Sequence, residues 1–245
     1  MKEFIKKCIN IFGFNLTRLQ PSTDNISQVI AAIKKIETSI LLDIGANAGQ
    51  FAMEVRRKGY KGKIVSFEPL SSARKELLKQ SSKDNKWEVH ERIAIGNYDG
   101  EVDINISKNS YSSSILPMFK SHSDVAKDSV YVDKEKTPVI KLDSIVSNYV
   151  NSSDVCFIKI DTQGYEWQVL DGAQETLKKT GGIICELSFI PLYEGQHLWK
   201  EIISRLENEG FVLWSLIKGF TDKNSGRSLQ MDGVFLKKSI LKDIG

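Results

Sequence analysis

Short apolar runs alternate with segments of helical spacing along most of the chain, and this alternation limits the fold more than any other feature. "SILLDIG", "KIVSFEP", "WEVHERIAIGN", "VCFIKID" and "GGIICELSF" read as strands. "QFAMEVRRKG", "SSARKELLKQSS", "YEWQVLDGAQETLKK" and "LWKEIISRLENEG" read as the helices between them, the second opening on a serine cap. Such alternation means an α/β class: a Rossmann-like, mostly parallel sheet with helices on both faces. "FVLWSLI" and "MDGVFLKK" are two further strands joined by "KGFTDKNSGRSLQ" without a helix, so they are expected as antiparallel neighbours. An insertion of about 101–145 interrupts the pattern with a strand, a long polar loop, a strand and a short helix. Long loops in compact domains commonly serve as lids or binding loops.

Composition narrows the function classes. The 245 residues suffice for one sizeable core, and 41% hydrophobic with 27% charged residues is an ordinary globular mix. A net charge of +3 gives no electrostatic case for nucleic acid. Cys8, Cys156 and Cys185 form neither a CxxC nor a Cys/His cluster, so neither a disulfide framework nor a zinc site is expected, and a reducing cytoplasm fits. No apolar run approaches the ~18 residues of a membrane span. In "MKEFIKKCINIFGF", Phe4, Ile5, Cys8, Ile9 and Phe12 share a helical face, with Lys2, Lys6 and Lys7 off it. A helix packed on the domain is expected there; the alternative is a helix that touches a membrane or a partner. The interrupting lysines argue against a signal peptide.

The tip of the first strand, "LLDIGANAG", gives the chemistry. Its pattern is D-x-G-x-N-x-G rather than the G-x-G-x-x-G of a dinucleotide site. Asp43 would repel a pyrophosphate but welcome an ammonium group. Gly45 and Gly49 let backbone approach a ligand closely, and Asn47 can donate and accept at the turn. Glu68 ends the second strand and can accept two hydrogen bonds from ribose hydroxyls. Together these residues describe a ligand with a cationic amino-acid end and a ribose, which S-adenosylmethionine fits. Phe51 and Pro69, beside these tips, count with the cofactor contacts, and Ile93 and Ala94 are expected beside the adenine.

At this point the chain resembles a known family. "LLDIGANAGQFA", "SFEPL", "AIGNYDGE", "SSSILPM", "VIKLDSIV", "FIKIDTQGYEWQVLDGA", "SFIPLYEGQ" and "GRSLQMDGVFL" resemble the FkbM family of S-adenosylmethionine-dependent methyltransferases, from about Ile40 to about Lys237. The resemblance implies a seven-stranded sheet with the last strand antiparallel, and methylation of a hydroxyl. The "PLYEGQ" and "GRSLQMD" stretches look like those of members associated with glycan or polysaccharide biosynthesis. The expected organisation is an N-terminal helical extension over 1–38, a class I methyltransferase domain over 39–238 and a tail over 239–245.

Methyl transfer to a hydroxyl needs alignment and gains from a base, by roughly 10²–10⁴-fold. Three candidates stand at suitable places: Asp161 at the fourth strand's tip, Glu186 in "IICELSF", and His122 in the long loop. Each has a plainer role open to it: a helix cap for Asp161, a pair with Lys159 for Glu186, and simple solvation for His122. The serines of "YSSSILP", Ser113 and Ser114, could hydrogen-bond a polyol or close over the cofactor. Gln163 and Tyr165 after Asp161, with Tyr193 and Glu194 of "PLYEGQ", complete the expected acceptor site. Gln163 stands where many relatives carry Glu, so it is assigned no acid role. No metal set is expected, since only Asp161 stands out as a ligand. The acceptor is a glycan or another small molecule with a free hydroxyl, a macrolide being the alternative within this chemistry. A nicotinamide-dependent oxidoreductase or a non-catalytic cofactor-binding protein are the readings from other classes.

Overall fold

Two short strands, β1 (Ile40–Ile44) and β7 (Cys156–Ile160), are buried along their whole length, and they pair in parallel at the centre of the sheet. In the computed structural model, which describes residues 2–241, the elements before β7 are α1 (Lys2–Ile11), α2 (Asn25–Lys35), β1, α3 (Gln50–Arg57), β2 (Lys63–Phe67), α4 (Ser71–Ser81), β3 (Trp87–Val89), β4 (Ala94–Gly96), β5 (Gly100–Ser107), α5 (Lys120–Val125), β6 (Tyr131–Lys141) and α6 (Leu142–Ile145). After β7 come α7 (Glu166–Asp171), α8 (Gln174–Lys179), β8 (Thr180–Ser188), α9 (Trp199–Asn208), β9 (Phe211–Lys218) and β10 (Gln230–Lys237).

The main sheet has seven strands in the order β3-β2-β1-β7-β8-β10-β9. β10 enters between β8 and β9 and runs antiparallel to both, as the helix-free connection requires. One core lies between the sheet and α6–α9, through Val169, Leu170, Leu177, Ile202 and Leu206. The other lies under α2, α3 and α4, through Val29, Ile33, Ala52, Val55 and Leu77. α2, inside the stretch read as an extension, therefore packs on the sheet. α1 leaves much of its apolar face open: Ile5, Ile11 and Phe12 are exposed, and Cys8 and Ile9 are half-buried. The expectation that this helix packs on the domain is not met at Ile5, Ile11 and Phe12; Phe4 and Lys2 belong to the part whose side chains lie outside the described residues.

Three local readings need correction. "WEVHERIAIGN" is two strands, not one. The ladder to β2 ends where the His90 amide donates to Ser66 O at 3.0 Å, and the chain then turns away. β4 instead joins β6 and β5 in a separate three-stranded sheet. "YEWQVLDGAQETLKK" is two helices: α7 ends at Gly172, where a Cβ would lie 1.8 Å from the Gly96 carbonyl oxygen. The Asp143 carboxylate restarts the helix by accepting the Glu175 and Thr176 amides at 2.9 and 2.8 Å. Ser71 is not a cap. The start of α4 is held by other carboxylates, Glu68 taking the Leu70 amide at 2.9 Å and Glu135 the Ser71 amide at 3.1 Å.

Candidate active site

Parallel pairing sets Asp43 of β1 directly beside Lys159 of β7, with Asp161 just past the β7 tip. The Lys159 ammonium lies 3.3 Å from Asp43 and 3.4 Å from Asp161, and donates to Gly45 O at 2.9 Å. Asp43 is fully buried, and the Ser66 hydroxyl donates to it at 3.5 Å. Burial pushes the Asp43 carboxyl up and Lys159 opposes this. Burial works against the Lys159 charge, but Asp161 and Asp43 outweigh it and hold the ammonium above its ordinary value. The cation that Asp43 calls for is thus Lys159 of the same chain. This corrects the expectation of a direct ligand contact: Asp43 lies beneath the cleft floor.

The loop after β1 explains its glycines individually. Gly45 has φ +75° and its Cβ would meet the Asp161 carbonyl oxygen at 2.0 Å, so the β1 and β7 tips close on each other only without a side chain. Gly49 turns into α3 with φ +86°, and its Cβ would strike Trp87 and Leu77. It answers to packing rather than to a ligand. Asn47 sits at φ +48° and its amide donates to Glu68 at 2.7 Å. Burial drives the Glu68 carboxyl up to about 7, although the Leu70 and Asn47 amides stabilise its charge. Each Glu68 oxygen carries one backbone amide and keeps a second acceptor direction.

Above these tips the cleft has two lobes. The first has an apolar wall of Phe67, Pro69, Ile93 and Ala94, with Glu68 at its edge and Ser113, Ser114, Gln163 and Tyr165 along the rest. The second is bounded by Gln50, Phe51, Lys159, Ile184 and Asp232. Gly45, Asn47, Tyr111 and Asp161 border both. Tyr111 arches over the divide and accepts from Gln50 Nε2 through its hydroxyl at 3.1 Å. Ser113 and Ser114 are partly committed elsewhere: Ser113 Oγ accepts the Ser107 amide at 3.0 Å, and Ser114 Oγ donates to Gln163 O at 2.6 Å.

Carboxylates crowd the far side of Asp161. Gln163, at φ +54°, donates through Nε2 to Asp161 at 2.7 Å and to Glu186 at 3.0 Å, and its Oε1 accepts from the Tyr193 hydroxyl at 3.0 Å. The other Glu186 oxygen accepts from Gln230 Nε2. Glu186 does not pair with Lys159. Burial, then the Glu166, Asp161 and Asp232 charges, raise its carboxyl well above the carboxylate range. Glu166 accepts the Thr162 and Gly164 amides at 2.9 and 3.1 Å, and burial lifts it to about 7. Asp161 is no helix cap, since its oxygens go to Gln163 and Lys159. Asp232 of β10 lies opposite Glu186 in the antiparallel register, raised to about 7 by burial and then by Asp161. Sequence reasoning missed Asp232, although an acid inside the apolar run "MDGVFL" was a signal. Among the described residues, no group of three or more His, Cys, Asp or Glu side chains is arranged to hold a metal ion.

Other expected site residues lie apart from the cleft. His122 is not solvated: the polar loop folds into α5 and buries the ring against Tyr193 and Phe220, at 5.3 and 5.7 Å between centroids. Burial pushes it down to about 4, and Nδ1 has no partner. Tyr193 is buried too, packed against Gly164, and supports Gln163 from behind instead of facing an acceptor. Glu194 points to solvent in a turn whose amide donates to Pro117 O at 2.8 Å.

Comparison with known proteins shows what the chain is similar to. The chain is 26% identical over 185 residues to the 2-O-methyltransferase NoeI of Sinorhizobium fredii (strain NBRC 101917 / NGR234), covering 73% of this chain and 75% of that protein. Among solved structures, magnesium protoporphyrin IX methyltransferase (ChlM) of Synechocystis PCC 6803 superimposes with a TM-score of 0.47 at 8% identity, over 96% of each chain. The Methanococcus jannaschii fibrillarin pre-rRNA processing protein gives 0.47 at 16%, over 87% of this chain and 76% of that one. The model of the methyltransferase FkbM domain matches residues 43–213, from the buried aspartate of β1 into β9, and so the chain belongs to the FkbM family of methyltransferases.

Proposed function

We propose that the protein moves the methyl group of S-adenosylmethionine onto a hydroxyl of a saccharide, in glycan or polysaccharide assembly in the cytoplasm. The observation that carries this reading is the division of the cleft. An apolar slot edged by a carboxylate suits a nucleoside, and it opens past Gly45 onto a lobe with net acidic character. The residues fit the cofactor: Ile93, Ala94 and Phe67 for adenine, Glu68 for the ribose hydroxyls, and Asp161 with Asp232 for the positive charge. Around Lys159, three carboxylates (Asp43, Asp161, Asp232) face one ammonium, a field that favours a cation and opposes a pyrophosphate.

When bound, the cofactor supplies a methyl group on a sulfonium centre already activated for in-line displacement. The chain's part is alignment and proton removal. Most of its clustered carboxylates are occupied: Asp161 by Lys159 and Gln163, Glu186 by Gln163 and Gln230, Glu166 by backbone amides. Asp232 borders the second lobe without a hydrogen bond or ion pair among the described residues. It is therefore the carboxylate placed to take the hydroxyl proton as the new C–O bond forms. The 2-O-methyltransferase name of the relative supports an oxygen acceptor.

The test is incubation with S-adenosylmethionine carrying a tritiated methyl group and a panel of methyl glycosides and oligosaccharides. Label in a base-stable methyl ether supports the reading. Label appearing only in amine or carboxyl products contradicts it.

A further inference from the structure

The aromatic side chain of Tyr111 stands where the two lobes of the cleft meet, with 60% of its surface exposed. A tyrosine so open, on a polar loop, would ordinarily be free to swing, but this one is held. Asn109 anchors its turn: the side-chain oxygen accepts the Ser112 amide at 3.0 Å and the Ser107 hydroxyl at 2.9 Å, and the carbonyl oxygen accepts the Tyr111 amide at 2.8 Å. Ser110, just before it, takes the left-handed conformation at φ +57°. Residues other than glycine rarely adopt that backbone, and those that do cluster where a ligand is clamped. Two further ties cross the cleft. Asn47 Nδ2 donates to Ser110 Oγ at 3.5 Å, and Gln50 Nε2 donates to the Tyr111 hydroxyl at 3.1 Å.

The carboxylate at the same junction is already occupied. Asp161 faces the Lys159 ammonium through one oxygen, at 3.4 Å, and accepts from Gln163 through the other, at 2.7 Å. A cation brought here meets an acid whose charge is shared, and beside it an aromatic ring. This inference rests on the cleft reading given above, with the nucleoside in the first lobe and the amino-acid end in the second. The atom that joins those two halves of S-adenosylmethionine is the sulfonium sulfur, so it falls at the junction. We propose that Tyr111 recognises the sulfonium charge through the electron-rich face of its ring, and so separates S-adenosylmethionine from its neutral product S-adenosylhomocysteine. The bond to Gln50 sets the place of the ring, and the ring carries the recognition.

The experiment is calorimetric titration of the natural chain, Tyr111→Phe and Tyr111→Leu with S-adenosylmethionine and, separately, with S-adenosylhomocysteine. No acceptor is added, so the readout is binding rather than turnover. The two ligands differ by one methyl group and one positive charge. Leucine keeps apolar contact with the methyl group but has no aromatic face, whereas phenylalanine keeps the face and lacks the hydroxyl. Tyr111→Leu is expected to bind S-adenosylmethionine roughly 3–30-fold more weakly, the range for a cation over an aromatic ring, while its S-adenosylhomocysteine affinity stays within about twofold of the natural one. Tyr111→Phe is expected to keep the natural ratio of the two affinities. Melting temperatures, expected to be unaltered at so exposed a position, check that both variants fold. Equal weakening of both ligands in Tyr111→Leu overturns the proposal, because the ring is then only a wall. Unchanged affinity for both ligands overturns it as well. Failure of the natural chain to bind either ligand overturns the cofactor reading itself, and this inference falls with it.

Discussion

Replacing Lys159 by Met keeps the length and apolar stem of the side chain but removes the charge between Asp43 and Asp161. Asp43 then stands fully buried, with only the Ser66 hydroxyl at 3.5 Å, and the Gly45 carbonyl loses its 2.9 Å donor. Leaving one member of a buried ion pair uncompensated costs about 3–5 kcal/mol. At about 2–4 °C per kcal/mol for a chain of this size, the melting temperature falls by roughly 6–20 °C. The loss depends on pH in a definite direction. Without Lys159 the buried Asp43 carboxyl rises further above its unfolded value, so the folded state holds a proton that the unfolded state releases. The variant is therefore closest to the natural protein in mild acid and weakens as pH rises. Adding Asp43→Asn should return much of the lost stability, since a neutral amide can stay buried where a lone carboxylate cannot. Far-UV circular dichroism melts of the natural chain, both single variants and the double variant form the assay. A loss below about 1 kcal/mol for Lys159→Met, with no recovery in the double variant, would refute the claim that Asp43 serves Lys159.

Gly45→Ala should lower the melting temperature and abolish S-adenosylhomocysteine binding; the left-handed backbone alone costs about 1–2 kcal/mol, and the new methyl meets the Asp161 carbonyl oxygen at 2.0 Å. Calorimetry beside a thermal scan checks it. His122 is pushed down to about 4, so it adds stability at neutral pH that is lost as pH falls from about 6.5 through about 4, on the order of 3 kcal/mol. His122→Leu should flatten that acid limb of the melting-temperature profile without changing cofactor binding. Asp232→Asn should slow methyl transfer by about 10²–10⁴-fold, measured by labelled transfer at saturating S-adenosylmethionine. Retention of the natural rate would move the base elsewhere.

The strands that form the sheet were legible because a doubly covered sheet demands continuous apolar runs, and "SILLDIG" and "VCFIKID" have them. The Gly-Asn loop and Glu68 were legible because their residue types follow from backbone conformation and strand-tip position. Long-range register was not. Lys159 reads as a blemish in an apolar strand until β7 lies beside β1, and then it is the partner of Asp43. Asp232 reaches the cleft because β10 inserts antiparallel between β8 and β9, which sets it against Glu186 and Gln230 against Ser188. Loop residues failed for a related reason. Nothing in "MFKSHSDV" or "PLYEGQ" reveals that His122 and Tyr193 pack on each other and turn inward. The close approach of Gly172 to the Gly96 carbonyl oxygen, at the break between α7 and α8, is likewise a long-range contact that no local pattern encodes.

The most direct test of the account is calorimetric titration of the purified chain with S-adenosylhomocysteine and, separately, with NADH, repeated on Glu68→Ala. The account predicts stoichiometric binding of S-adenosylhomocysteine, none of NADH, and at least a tenfold loss for Glu68→Ala, which is about 1.4 kcal/mol for the ribose hydrogen bonds. NADH binding in place of the homocysteine compound, or full affinity in Glu68→Ala, would contradict it.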